Sequence, residues 1–337
     1  MNRELAHKVA NAVLYEGYML YPYRPSALKN RQRWTFGVLY PPEYSEVRSG
    51  TEHSNMHTEC LIKTGGPASI TVELRFLHLL ARQVYRVGDE HAEPVASLCV
   101  DGRLLESWDE AMERSWQLEI EVAAEPRVFG FDFEGRSETE FVRDGRDREI
   151  GTIFRTQAAL RGSVRTASEK IREGLWRLTI DVVNESAFSG NRSDRNAALL
   201  SSLLSAHLIL TAPTSQFVSL LDPPEQFSGE ASACVNVGNF PILVGNEGEG
   251  DMLLCSSILL YDYPQIAPES AGDFYDATEI DEMLTLRLMT LTDQEKAEMR
   301  SAEDRVRDLL ERTERCPREQ LARMHGVMRT LRSASPK

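Results

Sequence analysis

Apolar and polar side chains alternate in several stretches of the chain. Trp116, Leu118, Ile120 and Val122 alternate with Gln117, Glu119 and Glu121, and Trp176, Leu178, Ile180 and Val182 alternate with Arg177, Thr179 and Asp181. A period of two puts one set on each face of a strand, so both runs predict strands with one apolar and one wet face. Phe129, Phe131 and Phe133 predict a third strand, and Val72, Leu74 and Phe76, set against Glu73 and Arg75, a fourth. Half-polar strands point to antiparallel pairing, because strands of a buried parallel sheet read as continuous apolar runs.

The pattern is helical at the two ends. Leu5, Val9, Ala12 and Val13 share one face of a first helix that stops near Gly17. Thr278 with Asp281 and Thr292 with Glu295 have the spacing of helix caps. Val306, Leu309 and Leu310 mark a helical face that Pro317 ends after Cys316, and a last basic helix is expected over Glu319 to Leu331. Between these ends the spacing predicts strands over Trp34 to Tyr40, Thr58 to Lys63, Leu208 to Ala212, Phe240 to Val244 and Met252 to Tyr261. A short helix is expected over Ala197 to Ala206, and exposed loops over Glu134 to Glu149 and Asn184 to Asn196. Gly245 to Asp251 reads as a hairpin connection, since its spacing does not fit a calcium loop. The fold class is therefore α+β: a β-rich antiparallel sheet or sandwich core with an N-terminal helix and C-terminal helices. The expected domains are 1–17, 18–277 and 278–337.

Charge is distributed unevenly. From Asn196 to Leu286 there is no lysine or arginine but thirteen acids, among them Asp262, Asp273 and Asp276; elsewhere 38 basic side chains face 39 acidic ones. From Tyr18 to Tyr40 there is no acid at all, and Arg24, Lys29, Arg31 and Arg33 sit among Tyr21, Tyr23 and Trp34. Tyrosine, tryptophan and arginine combine contact area with directional polar groups, so this segment and the acidic stretch are read as protein contact surfaces. The alternative is internal, with these cations neutralising the acidic region within the fold. A net charge of −14 argues against a general nucleic-acid surface, which needs basic side chains to neutralise phosphates. No apolar run is long enough to cross a bilayer as a helix and no signal-peptide core precedes the first strand, so a cytoplasmic location is expected. Five cysteines without paired spacing predict neither disulfides nor a zinc ribbon.

Candidate chemistry is sparse. His53, His57 and Cys60 would gather around zinc or nickel if the segment were helical; on a strand His57 and Cys60 would face opposite ways. His78 and His207 lie within apolar runs, where hydrogen-bonded core histidines are the usual case. No nucleophile elbow, phosphate loop, dinucleotide fingerprint or metalloprotease motif is present, so the reading leans away from an enzyme.

Three runs carry a family resemblance: YPYRPSALKNRQRWTFGVLYP from Tyr21 to Pro41, SSILLYDYPQIAPES from Ser256 to Ser270, and TEIDEMLTLRLMTLTDQEK from Thr278 to Lys296. They resemble an uncharacterised bacterial family associated with gene clusters for nickel-iron uptake hydrogenases, especially the oxygen-tolerant actinobacterial type. The resemblance implies a non-catalytic accessory or assembly factor that binds a hydrogenase subunit or maturation protein, and it supplies no catalytic residues. Two alternatives stand beside it, a metal-binding enzyme or metal carrier using the His53, His57 and Cys60 cluster, and a structural homo-oligomeric subunit.

Overall fold

The computed structural model describes residues 2–20, 23, 27, 30, 33–48, 52–88, 91–266, 281–302 and 304–317. They fall into two compact units, one of residues 1–17 and 34–265, the other of residues 18–33 and 266–337. This differs from the expected three-part division: helix α1 (Arg3–Tyr15) belongs with the β-rich core, and residues 18–33 belong with the C-terminal helices.

The first unit consists mainly of two antiparallel sheets. The smaller runs in the order β13 (Gln216–Val218), β1 (Asn55–Lys63), β11 (Leu175–Asn184), β10 (Leu160–Arg172) and β7 (Arg127–Phe133). The larger is organised on β2 (Ser69–Arg86), an 18-residue strand. Residues 69–80 of β2 pair with β6 (Glu110–Glu121), 71–77 with β12 (Leu204–Thr211), and 81–86 with β9 (Glu149–Gln157). Beyond β12 lie β15 (Met252–Ser256) and β14 (Phe240–Leu243); beyond β9 lies β8 (Arg136–Arg143). The inward residues of the two sheets form one core, with Cys60, Ile62, Val72, Leu74, Phe76, Phe131, Val164, Ile180, Leu208 and Leu253 all buried. The period-two runs thus turn their apolar faces into one core, β2 and β6 from the larger sheet and β7 and β11 from the smaller, within the expected antiparallel pairing. Within the smaller sheet, Gly162 of β10 leaves room for its neighbours on both sides, because a Cβ there would collide with the Phe131 ring of β7 and lie 2.6 Å from the Val183 carbonyl of β11.

Each sheet is covered on its outer face. Helix α1, capped by the Asn2 side chain, lays Ala6, Val9, Ala10 and Val13 on Ile209, Ile242, Met252 and Leu254. Its polar flank meets buried charges of β2: Asn11 accepts from Arg75 at 2.8 Å, and His7 lies 3.8 Å from Glu73. Over the smaller sheet, Phe227 and Ala231 of the turn into α4 (Ser228–Ser232) cover Leu61, Leu175 and Val218. A second small core, Val84, Val100, Leu105, Val142 and Ile153, joins the far end of β2 to β8, β9 and the hairpin of β4 (Ser97–Val100) and β5 (Arg103–Glu106). In the second unit, helices α5 (Asp281–Met289), α6 (Asp293–Ala302) and α7 (Asp304–Glu314) bury Leu284, Leu288, Met299, Val306, Leu309 and Leu310. The expected cap at Thr292 is formed reciprocally, with Thr292 N–H donating to Glu295 Oε2 at 2.9 Å and Glu295 N–H to Thr292 Oγ1 at 3.3 Å.

Several expected elements differ. Trp34 to Tyr40 makes only one isolated bridge, Leu39 to Leu203, because Trp34 and Gly37 adopt positive φ and interrupt any strand. The helix expected to Ala206 ends early, α3 being Arg195–Leu199, since Leu204 already pairs with Leu77. Arg136 to Arg143 is not loop but β8; its charges are matched across strands, Glu140 sitting 2.8 Å from Arg155 of β9. The expected caps and helix at Thr278 and beyond Glu319 lie outside the described residues. No helix among the described residues is long and apolar enough to cross a membrane.

Candidate functional site

Strand β1 decides the fate of the His/His/Cys set. It sends Met56, Thr58, Cys60 and Ile62 into the core and turns His57, Glu59 and Leu61 to the outer face. His57 is paired in register with Asp181 of β11, and its Nδ1–H donates to Asp181 Oδ1 at 2.6 Å. Cys60 is fully buried, facing the opposite way, and burial raises its thiol well above the ordinary range. His53 is exposed ahead of the strand, where its carbonyl accepts from Tyr40 N–H at 2.9 Å. The three side chains do not converge, and no group of three or more metal-ligating side chains gathers among the described residues. The physical reason is strand alternation: an odd spacing puts His57 and Cys60 on opposite faces.

What His57 and Glu59 do hold is chain. His57 exchanges two backbone hydrogen bonds with Val237, at 3.0 and 2.9 Å, and its carbonyl also accepts from Asn239 Nδ2 at 2.8 Å. Asn236 brackets Glu59, accepting from its N–H at 2.9 Å and donating to its carbonyl at 3.2 Å, while Glu59 Oε2 accepts from Val235 N–H at 2.7 Å. The backbone of His57 and Glu59, the Glu59 carboxylate and the Asn236 and Asn239 amides therefore fasten residues 235–239 along the sheet, while the His57 imidazole ties β1 to β11.

The basic aromatic segment is likewise more internal than expected. Tyr23, Arg33 and Trp34 are buried, and the Arg33 guanidinium donates to the Tyr18 carbonyl at 3.3 Å. The Trp34 carbonyl accepts from Arg195. Those three residues are thus not open contact residues, because their polar atoms are engaged within the chain. Tyr21, Arg24, Lys29 and Arg31 lie outside the described residues, as do Asp273 and Asp276. Asp262 is a structural clamp: Oδ1 accepts from Leu243 N–H at 2.8 Å and Oδ2 from the Ser219 hydroxyl at 2.6 Å. With Tyr263 N–H donating to the Leu243 carbonyl at 2.7 Å, it pins the segment that follows β15.

That pinned segment carries the surface feature the sequence concealed. β15 ends at Ser256, and the chain beyond it leaves Leu259 65% and Tyr261 88% exposed, inside the stretch without lysine or arginine. Two large side chains held outward within a stretch that has no cation suit a contact with a partner's apolar surface. Sequence periodicity merged these residues with the strand, since Met252 to Tyr261 is one apolar run and the break comes from the clamp at Asp262.

The cysteines supply a direct check on this geometry. Cys99 is exposed, whereas Cys60 and Cys255 are fully buried and their thiols are pushed far up by desolvation. Alkylation of the native protein followed by mass spectrometry is expected to modify Cys99 quickly and Cys60 and Cys255 only after denaturant. Fast labelling of Cys60 would contradict its inward position on β1.

No protein-family model matches the chain, and none of the curated proteins compared with it does.

Proposed function

We propose that this protein is a non-catalytic accessory or assembly factor that binds a subunit or maturation protein of a nickel-iron hydrogenase. The observation that carries the reading is the outward pair Leu259 and Tyr261 in the cation-free stretch. Both belong to one of the three runs on which the family resemblance rests. Exposed aromatic and aliphatic side chains of this size anchor protein interfaces, and the acid excess of the stretch favours a basic partner and faster, salt-sensitive association.

The test is native mass spectrometry of the tagged protein, purified gently from its host under hydrogenase-inducing conditions. The expected mass is one copy plus a hydrogenase or maturation subunit. The double variant Leu259→Ser, Tyr261→Ala is expected to lose that partner, with affinity reduced by more than about a hundredfold if both are interface anchors. Both side chains are exposed, so the fold should be unchanged by circular dichroism. Retention of the partner by a folded double variant would overturn the reading.

A further inference from the structure

Strand β6 is bonded along its length to β2, from Glu110 opposite Leu80 to Glu121 opposite Ser69, and no strand among the described residues pairs with its other edge. The next strand, β7, lies in the smaller sheet and pairs only with β10. Among the described residues, no strand seals the core on this side. Trp116 and Leu118 of β6 and Phe129 and Phe133 of β7 are only partly buried against it. A cavity of about 320 Å³ opens at the same place, bounded by Glu119 to Glu121 of β6, Thr166 to Ser168 of β10, and Phe129, with Glu125 and Arg127 also at its wall, so acids outnumber the one arginine there. A sheet edge beside a slot with an apolar floor and a polar, mainly acidic rim is an arrangement that can accept an added strand, in which main-chain hydrogen bonds give affinity and alternate side chains give specificity.

The two faces of β6 state what that strand must look like. From residue 116 on, its inward positions, Trp116, Leu118 and Ile120, are apolar, after Arg114 on the same face stacks on the Phe133 ring. Its outward positions include Glu119 and Glu121, while Glu113 is engaged by Arg75 and Tyr15. Glu119 and Glu121 have no ion-pair partner among the described residues. An incoming strand lies close enough for cross-strand side-chain pairs, so its slot-facing positions should be apolar and its solvent-facing positions basic. A second copy of this chain is a poor occupant, because β6 paired with itself would bring rows of glutamate together.

We infer that the free edge of β6 is a strand-addition site for an extended segment of a protein partner that alternates apolar and basic residues. This rests on the partner-binding reading above and adds where and how a partner is held. The probe is a peptide of about nine residues alternating valine with lysine, titrated against the full chain. It should bind saturably and slow hydrogen exchange at the amides of residues 110–121. The same peptide N-methylated at alternate residues keeps its charge but cannot form the ladder, and should bind more than about tenfold more weakly. The double variant Glu119→Lys, Glu121→Lys should weaken the unmodified peptide by about tenfold or more in low salt.

No saturable binding up to about 1 mM, equal binding of the methylated peptide, or protection outside residues 110–121 would each overturn the inference. Failure here is separable from failure of the function proposed above. A hydrogenase-cluster partner that binds while residues 110–121 exchange as fast as in the free chain removes the edge and leaves the partner. Peptide protection at 110–121 in a chain that recovers no such partner leaves the edge and removes the hydrogenase assignment.

Discussion

Taking the pH from 7 to 4 is expected to remove about 3 kcal/mol of stability through each of two buried histidines, His78 and His207, because each pKa of about 4 lies some 2.5 units under 6.5. Desolvation is the main cause in both, as neither side chain is exposed. At His207 the Ser205 carbonyl accepts from Nδ1–H at 2.9 Å and works in the opposite direction, while Arg75 and His7 repel an added proton. At His78 the neighbouring Arg114 and Arg136 do the same, and a backbone hydrogen bond with Ala158 opposes them. A group whose folded pKa lies below its unfolded value binds its proton first in the unfolded chain. Stability is thus complete above about 6.5, falls as pH drops through that value, and stops changing through this route below about 4. The carboxylates whose pKa is lowered, Glu4, Asp144, Glu173, Glu249 and Glu314, begin to lose their contribution only as pH nears the ordinary carboxylate range, so the window from about 6.5 to 5.5 isolates the histidines. Together the two are comparable to the whole stability of an ordinary domain. Urea unfolding at a series of pH values should show this slope, and His207→Gln should remove about half of it. A flat profile between about pH 7 and 5.5 would refute the buried, neutral assignment.

Asn184→Ala should cost about 4 kcal/mol and lower the midpoint of thermal unfolding by roughly 10 °C. Asn184 ends β11 and is fully buried. Its Nδ2 donates to the Leu39 carbonyl at 2.8 Å and the Ser201 carbonyl at 2.9 Å, while its Oδ1 accepts from Ser186 N–H at 2.9 Å. One amide therefore joins the segment ahead of β1, the turn after α3 and the chain leaving β11. Alanine would leave two carbonyls and one N–H in the interior without that partner, each worth about 1 to 3 kcal/mol. Asn191 is the comparison, since it sits in a triplet of the same N-x-S form. It is exposed and caps only Ser193 N–H, at 3.0 Å. Asn191→Ala should change stability by less than about 0.5 kcal/mol. Calorimetry on the two variants decides the matter, and equal effects would mean the buried network is not formed.

The contrast between these asparagines shows how the fold and the candidate site were legible. Alternation found the inward faces of β2, β6, β7 and β11, because a half-buried sheet selects residues by face and leaves a period of two in the sequence. The Thr292 cap was legible because both of its partners lie within one turn of helix. β8 was not legible, since a strand made of arginine and glutamate is recognisable only beside the strand that neutralises it. Of the ten contact residues expected from composition, Tyr23, Arg33, Trp34 and Asp262 are used internally by the fold, and the other six lie outside the described residues. The exposed Leu259 and Tyr261 were hidden inside an apolar run.

By itself the sequence determined the α+β class, the antiparallel pairing, the buried histidines and the regional separation of charge. These depend on periodicity, composition and short-range capping, which are properties of consecutive residues. Only the tertiary structure decided that His57 belongs to Asp181 and not to Cys60, that Asn184 is a junction while Asn191 is surface, and that β6 has no strand on its outer edge among the described residues. Each of those outcomes depends on partners far apart in the chain, and burial and pairing across such distances leave no local pattern to read.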